Sequence, residues 1–170
     1  MATLALLMTT AAVSCGARSP DRRIPSSLCG TPVDEDLSRP LFQSPGEITE
    51  WNRVDRAAAG SSWCVLLVGK REALSFKFAW HGGSMDPLAA ASPDNSVTGL
   101  QNAHRIDLAD DAVLADDGAI ATTHCKTSGG DHFTLAIKLH QGVKNRPERK
   151  DIERFMRAYM PATVKTLGCG

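Results

Sequence analysis

The clearest pattern in the sequence is a strict alternation of apolar with small or polar residues along residues 74–80. A period of two predicts a β-strand with one buried face. A continuous apolar run, residues 63–68 (WCVLLV), precedes it, and residues 69–72 (GKRE) between the two predict a hairpin turn. Because the run has no polar alternation, we expect its strand to be covered on both faces. The alternating apolar residues are Leu74, Phe76, Phe78 and Trp80.

A second hairpin is predicted further along the chain. Residues 119–125 (AIATTHC) form one strand, residues 128–130 (SGG) supply the turn, and residues 133–139 alternate again. A weaker alternation at residues 47–54 predicts one more strand. Short strands that are joined by tight turns pair in the antiparallel direction, so we expect an antiparallel sheet.

The chain ends in a predicted amphipathic helix. Apolar residues recur at helical spacing over residues 152–167, Asn145 is a candidate N-cap, and Gly168 supplies a C-terminal stop. Pro161 lies inside this pattern, and we expect it to kink or break the helix near Met160 because it lacks a backbone donor.

A shorter helix or turn is predicted at residues 34–42, where Pro40 prevents it from running on. The elements together predict one α+β domain, in which an antiparallel β-sheet packs with a C-terminal helix and a short N-terminal helix.

Residues 82–117 are rich in Gly, Ala, Ser, Pro, Asp and Asn, and only residues 105–108 give a weak strand signal. We therefore expect a long loop, a feature that is often functional in compact domains. Its carboxylates do not follow the EF-hand pattern of calcium ligands, which favours a solvated acidic loop over a metal site. The carboxylates belong to Asp107, Asp110, Asp111, Asp116 and Asp117.

The start of the chain predicts export. The uncharged apolar run at residues 4–13 is too short to span a bilayer and has the length of a signal-peptide core. It ends in small residues before Cys15, the pattern of a bacterial lipobox, although no basic residue precedes it and a start codon further upstream would supply one. We expect a signal peptide at residues 1–14, a flexible tether at 15–27 and one domain at 28–170. The alternative is a buried N-terminal helix or strand with a chance cysteine.

The predicted location is therefore the outer face of the cytoplasmic membrane, with a lipid on Cys15. The four remaining cysteines form an even set, which predicts two disulfides in an oxidising compartment. We favour Cys29 with Cys64 and Cys125 with Cys169, because each pair ties a chain end to a strand. Pairing Cys29 with Cys169 is the competing arrangement. The absence of a C-x-x-C spacing disfavours a metal site.

The net charge and the spacing of the histidines further limit the functions that the sequence supports. The 19 acidic and 19 basic side chains give a formal net charge of zero, which argues against a nucleic-acid binder. His81 begins an H-G-G-S segment like an esterase oxyanion loop, but the G-x-S-x-G nucleophile motif is missing from the sequence. His132 and His140 are too far apart to bind one metal, whereas His124 and His132 meet across the hairpin only in one strand register. We expect no cofactor and no metal.

Four short motifs occur in a set order and are spread over most of the mature chain: Ala12-Val13-Ser14-Cys15, Leu28-Cys29-Gly30, Ser62-Trp63-Cys64 and Leu167-Gly168-Cys169. Their order and spacing resemble small exported lipoproteins of unknown function that are common in actinomycetes. The resemblance implies export, disulfides and one α+β domain with an antiparallel sheet and packed helices. It carries over no catalytic residue.

Two functions follow as hypotheses. The first is a lipid-anchored binding module outside the cytoplasm, which holds a cell-wall component, a small ligand or an envelope protein on its sheet face or on residues 82–117. The second is an envelope hydrolase that uses His81 or His124 with a loop carboxylate. We favour the binding module because the sequence supplies an anchor and a scaffold without a nucleophile.

Overall fold

Residues 23–56, 60–95, 98–140 and 146–169 are described by a computed structural model of the protein. The expected signal peptide, Cys15 and the candidate N-cap Asn145 lie outside these ranges.

The first half of the chain forms five strands and two short helical turns. They are β1 (Ser27–Leu28), β2 (Thr31–Pro32), α1 (Glu35–Ser38), a 3-10 helix (Arg39–Leu41), β3 (Ile48–Asn52), β4 (Ser62–Val68) and β5 (Arg71–His81). The second half adds four strands and two helices. They are α2 (Pro87–Ala90), β6 (His104–Ile106), β7 (Asp111–Leu114), β8 (Gly118–Thr127), β9 (Gly130–Leu139) and α3 (Arg149–Leu167).

Seven of the strands form one antiparallel sheet in the order β3-β4-β5-β9-β8-β7-β6. The two predicted hairpins, β4-β5 and β8-β9, are therefore joined at the centre of the sheet by pairing of β5 with β9. The predicted fold class is confirmed: an antiparallel sheet, a long C-terminal helix and a short helix near the N-terminus.

The composition of β4 predicts a strand that is covered on both faces. In the structure the two faces are not covered equally. Cys64, Leu66 and Val68 are buried, whereas the intervening side chains are only half-buried. The reason is that β4 lies next to the edge strand β3, where the second face of the sheet has little to pack against it.

Residues 82–117 do not form the long loop that their composition predicts. They contain α2 and the strands β6 and β7, which extend the sheet beyond β8. Asp86 caps α2 by accepting a hydrogen bond from the Leu88 backbone N–H at 2.9 Å. The weak signal at residues 105–108 overlaps β6, whereas β7 gives no signal, and the two strands are only three and four residues long. Such short strands show too few alternations for a periodic signal.

Helix α3 covers one face of the sheet through a cluster of aromatic rings. The ring of Phe76 on β5 lies 5.1 Å from the Tyr159 ring, and Phe155 stacks on Tyr159 at 4.8 Å. All three side chains are fully buried. Burial of aromatic side chains of this size dominates the energetics of a core. This cluster therefore fixes the position of the helix on the sheet.

Pro161 does not break α3, which runs unbroken from Arg149 to Leu167 and ends at Gly168 in the left-handed conformation. Pro161 is exposed, and so is Arg157 one turn earlier on the same face. The Arg157 carbonyl, which loses its helical donor to the proline ring, can thus be hydrated. The prediction of a break relied on the cost of this missing hydrogen bond. Hydration of the carbonyl on the exposed side of the helix offsets that cost.

A buried polar network joins α3 to the β1-β2 hairpin. The Tyr159 hydroxyl donates to the Leu28 carbonyl at 2.7 Å, and burial raises the pKa of this hydroxyl. Cys29, in the two-residue turn of the hairpin, takes a positive φ of 53°. Its N–H donates to the Glu50 carboxylate at 2.6 Å, and its carbonyl accepts a hydrogen bond from Arg56. These hydrogen bonds stabilise a left-handed backbone conformation that residues other than glycine rarely adopt.

The two disulfides join the same cysteine pairs that the sequence favours. Cys29 is bonded to Cys64 with their Cα atoms 5.8 Å apart, and Cys125 is bonded to Cys169 with Cα atoms 4.9 Å apart. The first attaches the N-terminal hairpin to β4, and the second attaches the end of α3 to β8. Ile24 is buried as well, so the packed part of the chain begins before Leu28. None of the described helices has the length and hydrophobicity needed to cross a membrane.

We expect Phe155→Ala to lower the free energy of unfolding by about 3 to 5 kcal/mol, the range for a large aromatic side chain removed from a core. Chemical denaturation monitored by circular dichroism measures the change. Leu88→Ala is the control, because Leu88 is a large apolar residue that is 40% exposed, and it should change the free energy of unfolding by less than about 0.5 kcal/mol. Equal stability of the Phe155→Ala variant and the parent would place α3 outside the core.

Candidate functional site

The face of the sheet opposite α3 is covered along only part of its width. A small apolar cluster lies over β7, β8 and β9, where α2 and the segment after it pack on the sheet. Its buried members are Ala91, Leu100, Val113, Ala115, Ile120 and Ala136. The same face of β3, β4 and β5 continues beyond this cluster and carries the most exposed tryptophan of the described chain.

We call this uncovered region the tryptophan face and define it by Trp51, Arg53, Trp63 and Lys77. Strand register brings these residues together. Trp63 on β4 pairs with Lys77 on β5, and the backbone N–H of Arg53 donates to the Trp63 carbonyl at 3.0 Å. Trp51 pairs with Val65, which places the two tryptophans diagonally on neighbouring strands. Diagonal neighbours are about 7 to 8 Å apart, close enough for one ligand to contact both rings.

A cationic side chain lies over each of the two tryptophan rings on this face. The Arg53 Cζ lies 4.5 Å from the centroid of the Trp51 ring, and the Lys77 Nζ lies 5.5 Å from the Trp63 ring. Both distances are within the range of a cation–π interaction. Trp51 is nevertheless 47% exposed, so about half of its surface is open to a ligand. The aligned rows of β3, β4 and β5 on this face, from Thr49 across to Ala79, contain one carboxylate, that of Glu72, which lies 3.6 Å from the His140 ring.

A cleft of about 400 Å³ beside the segment that follows α2 offers an alternative. Its polar lining includes Asp117, Lys138 and His140. These groups already bond within the protein: the Asp117 carboxylate accepts from the Gln101 N–H at 2.8 Å, and the Lys138 ammonium donates to the Gly99 carbonyl at 2.7 Å. Desolvation lowers the pKa of His140. A ligand in this cleft would have to displace these internal contacts.

Three histidines form a row across the sheet, which we call the histidine row. His132 on β9 pairs with His81 on β5 and with His124 on β8. The His81 and His132 rings are stacked with centroids 6.0 Å apart, and the His124 ring meets His132 edge-on at 5.5 Å. His124 and His132 can meet only in one strand register, and the structure adopts that register. Residue 81 joins them because β5 pairs with β9.

The ring of His81 is held by hydrogen bonds on both sides. Its Nδ1 donates to the Gly83 carbonyl, and its Nε2 lies 2.7 Å from the Thr134 hydroxyl. Thr134 is only 3% exposed, so this hydroxyl is closed to a large substrate. The pair therefore lacks the accessible nucleophile that a hydrolase of this type needs.

The loop carboxylates do not reach the histidine rings. Asp110 accepts a hydrogen bond from the backbone N–H of His124 at 2.5 Å, not from its ring. Asp111 is paired with Arg105, and Asp116 with Arg149 at 2.6 Å. In the described part of the chain no hydrogen bond joins the ring of His81 or His124 to a carboxylate.

The acidic cluster is only in part the solvated loop that its composition predicts: Asp107 and Asp110 are exposed, but the other carboxylates are held by internal bonds. Asp117 is 4% exposed and bonded to the backbone, and the Arg149 hydrogen bond, together with one from Asn102, lowers the pKa of Asp116. Arg149 reaches Asp116 from 33 residues further along the chain, which a local composition count cannot show. Cys29, Glu50 and Cys64 also bring potential metal ligands within 4.8 Å, but the two sulfurs are bonded to each other.

Sequence reasoning missed the tryptophan face. Trp63 appears in the sequence as one residue of an apolar strand, and Trp51 as one residue of a weakly alternating strand. The period-two pattern gives each residue a face, but only the register between β3, β4 and β5 places both rings beside two cations. This arrangement can stack on flat apolar rings and attract negative charge. Comparisons with protein-family models, curated proteins and solved structures find no match.

We expect Gly130→Ala to disturb the histidine row. A Cβ at Gly130 would lie 2.3 Å from the His81 carbonyl oxygen, and its φ of +145° is strained for other residues. The variant should lose more than about 1 kcal/mol of stability, which thermal unfolding measures, and the ring signals of His81 and His132 should shift in NMR spectra. Gly82→Ala is the control, because nothing lies within 4 Å of a Cβ there. Equal effects of the two substitutions would contradict the close approach of β5 and β9.

Proposed function

We propose that the protein is a binding module outside the cytoplasm, attached to the membrane by a lipid on Cys15, that holds an anionic cell-wall glycan on the tryptophan face. The exposed ring of Trp51, beside Trp63 and two cations, is the observation that carries the proposal. Exposed aromatic side chains on a rigid sheet lose little conformational entropy when they bind, which makes them efficient contact residues.

The charge of this face selects the chemistry of the ligand. Arg53 and Lys77 supply two positive charges beside the indole rings, and the one carboxylate of the aligned strand residues, that of Glu72, lies against His140. Complementary charge attracts and orients an anionic partner. Because the site is a flat surface, it suits an extended polymer better than a small molecule, which usually binds in an enclosed pocket. A glycan that bears carboxylate or phosphate groups meets both requirements, since its ring faces can lie on the two indoles.

The two disulfides support the proposed location, because such bonds form and persist in oxidising compartments. If Cys15 carries the lipid, eight residues lie between it and buried Ile24. Even fully extended, they span about 30 Å. The domain would then stay close to the bilayer, where it could hold wall polymers near the membrane.

Trp51→Ala should weaken binding to purified cell walls that retain their anionic polymers by at least about tenfold, because a central tryptophan contributes a large share of such an interface. Co-sedimentation with the cell walls measures the bound fraction. Arg53→Gln should weaken binding less, and more strongly at low salt, since it removes one charge and leaves the ring. Leu88→Ala is the matched control for the loss of an exposed apolar side chain and should bind like the parent.

Cell walls stripped of their anionic polymers should bind the parent protein poorly. Unchanged binding of Trp51→Ala, or equal binding to intact and stripped walls, would contradict the assignment of the tryptophan face. If the parent protein instead bound a membrane protein and no wall material, the ligand class would be wrong.

Cys15→Ala should move the protein from the membrane fraction to the medium, because the substitution removes the proposed acceptor of the lipid. Fractionation of expressing cells and detection of the protein in each fraction measures the change. The double variant with Trp51→Ala shows whether wall binding also retains the protein. Full retention of Cys15→Ala in the membrane fraction, with the tryptophan face disrupted, would disprove the lipid anchor.

A further inference from the structure

We propose that His124 and His132 form a binding site for a divalent transition-metal ion of the class that prefers imidazole, such as Cu²⁺, Ni²⁺ or Zn²⁺. The two residues are directly opposite each other on β8 and β9, at the end of the sheet where the hairpin turn begins. The site is separate from the tryptophan face and does not depend on the proposed function.

The geometry of the ring pair suits a shared ion. A metal–nitrogen distance of about 2.0 Å and a tetrahedral angle place the centroids of two coordinated imidazoles about 5 Å apart. The His124 and His132 centroids are 5.5 Å apart with ring planes at 79°, so small side-chain rotations bring one nitrogen of each ring to a common point. His124 is exposed, which leaves an open path for the ion.

His132 supplies a second, independent observation. Its Nδ1 is buried and has no hydrogen-bond partner among the described residues. Buried polar atoms are normally paired, and an orphaned one in a native protein points to a bound water or ion. Coordination would satisfy this nitrogen without any change in the strands.

His81 acts on the site as a positioning residue and not as a ligand. Both of its ring nitrogens are already bonded, to the Gly83 carbonyl and to the Thr134 hydroxyl. Its ring is stacked nearly parallel to His132, with 14° between the planes, so the in-plane lone pairs of the two rings do not converge. In agreement with this, no three ligand atoms from the row lie within 4.8 Å of one another in the described chain.

A neighbouring carboxylate favours a cation at this position. The carboxylate of Asp110 accepts a hydrogen bond from the backbone N–H of His124 at 2.5 Å, which places a negative charge next to this residue. Two imidazoles leave the remaining coordination positions to water or to a ligand from outside. Imidazole donors suit copper, nickel and zinc, whereas calcium and magnesium prefer oxygen donors.

Isothermal titration calorimetry with CuCl₂, NiCl₂ and ZnCl₂ tests the site on the purified protein. We expect one ion bound per chain, at least about tenfold weaker binding in His124→Ala and in His132→Ala, and no response to CaCl₂. His104→Ala is the matched control, since it removes an exposed histidine from β6 and should bind like the parent. Substoichiometric Cu²⁺ should broaden the NMR signals of residues 124 and 132 before those of residue 104.

His124 is exposed, so His124→Ala should fold normally and decides the question even if His132→Ala is destabilised. Parent-like metal binding by His124→Ala would overturn the site. Equal losses in His124→Ala and His104→Ala would also overturn it, because they would show that surface histidines bind the ion without a common site. The absence of measurable binding at millimolar metal would do the same.

Discussion

The packing of Phe155 and Tyr159 of α3 on Phe76 of β5 is the interaction on which the rest of the structure depends. A single 19-residue helix can cover one face of a seven-stranded sheet, but not two. The aromatic cluster fixes which face that is, and the Tyr159 hydroxyl and the Cys125–Cys169 bond hold the helix at other points. The opposite face must be covered by something else or remain open. It is covered at β7, β8 and β9, and the tryptophan face is what remains.

This division explains why the sequence predicts some elements and not others. Long, regular patterns such as that of β5 report burial against α3, and they predict the hairpins, the helix and the fold class. The short strands gain their stability from pairing, β7 with β8 and β6 with β7, and not from a pattern of their own. Pro161 is likewise tolerated because of its exposed position, which a local rule for proline does not contain.

His124 and His132 lie on one predicted hairpin, but the tryptophan face and the position of His81 were harder to predict because they depend on pairing between separate segments. Trp51 and Trp63 meet through the register of β3 with β4, and His81 reaches His132 only because β5 pairs with β9. The sequence assigns each of these residues to a face but gives no distance between strands of different hairpins. The cysteines were easier, because an even set and the placement of chain ends leave only a few pairings to choose among.

The central claim is that the face opposite α3 is open at the tryptophan face and that the ligand binds there. Hydroxyl-radical footprinting with peptide mass spectrometry tests it most directly. In the free protein, Trp51 should be oxidised much faster than Trp80, which is 7% exposed. Soluble anionic cell-wall fragments should slow the oxidation of Trp51 and Trp63 while leaving Leu88 unchanged. Equal oxidation of Trp51 with and without the fragments, or fast oxidation of Trp80 in the folded protein, would contradict the account.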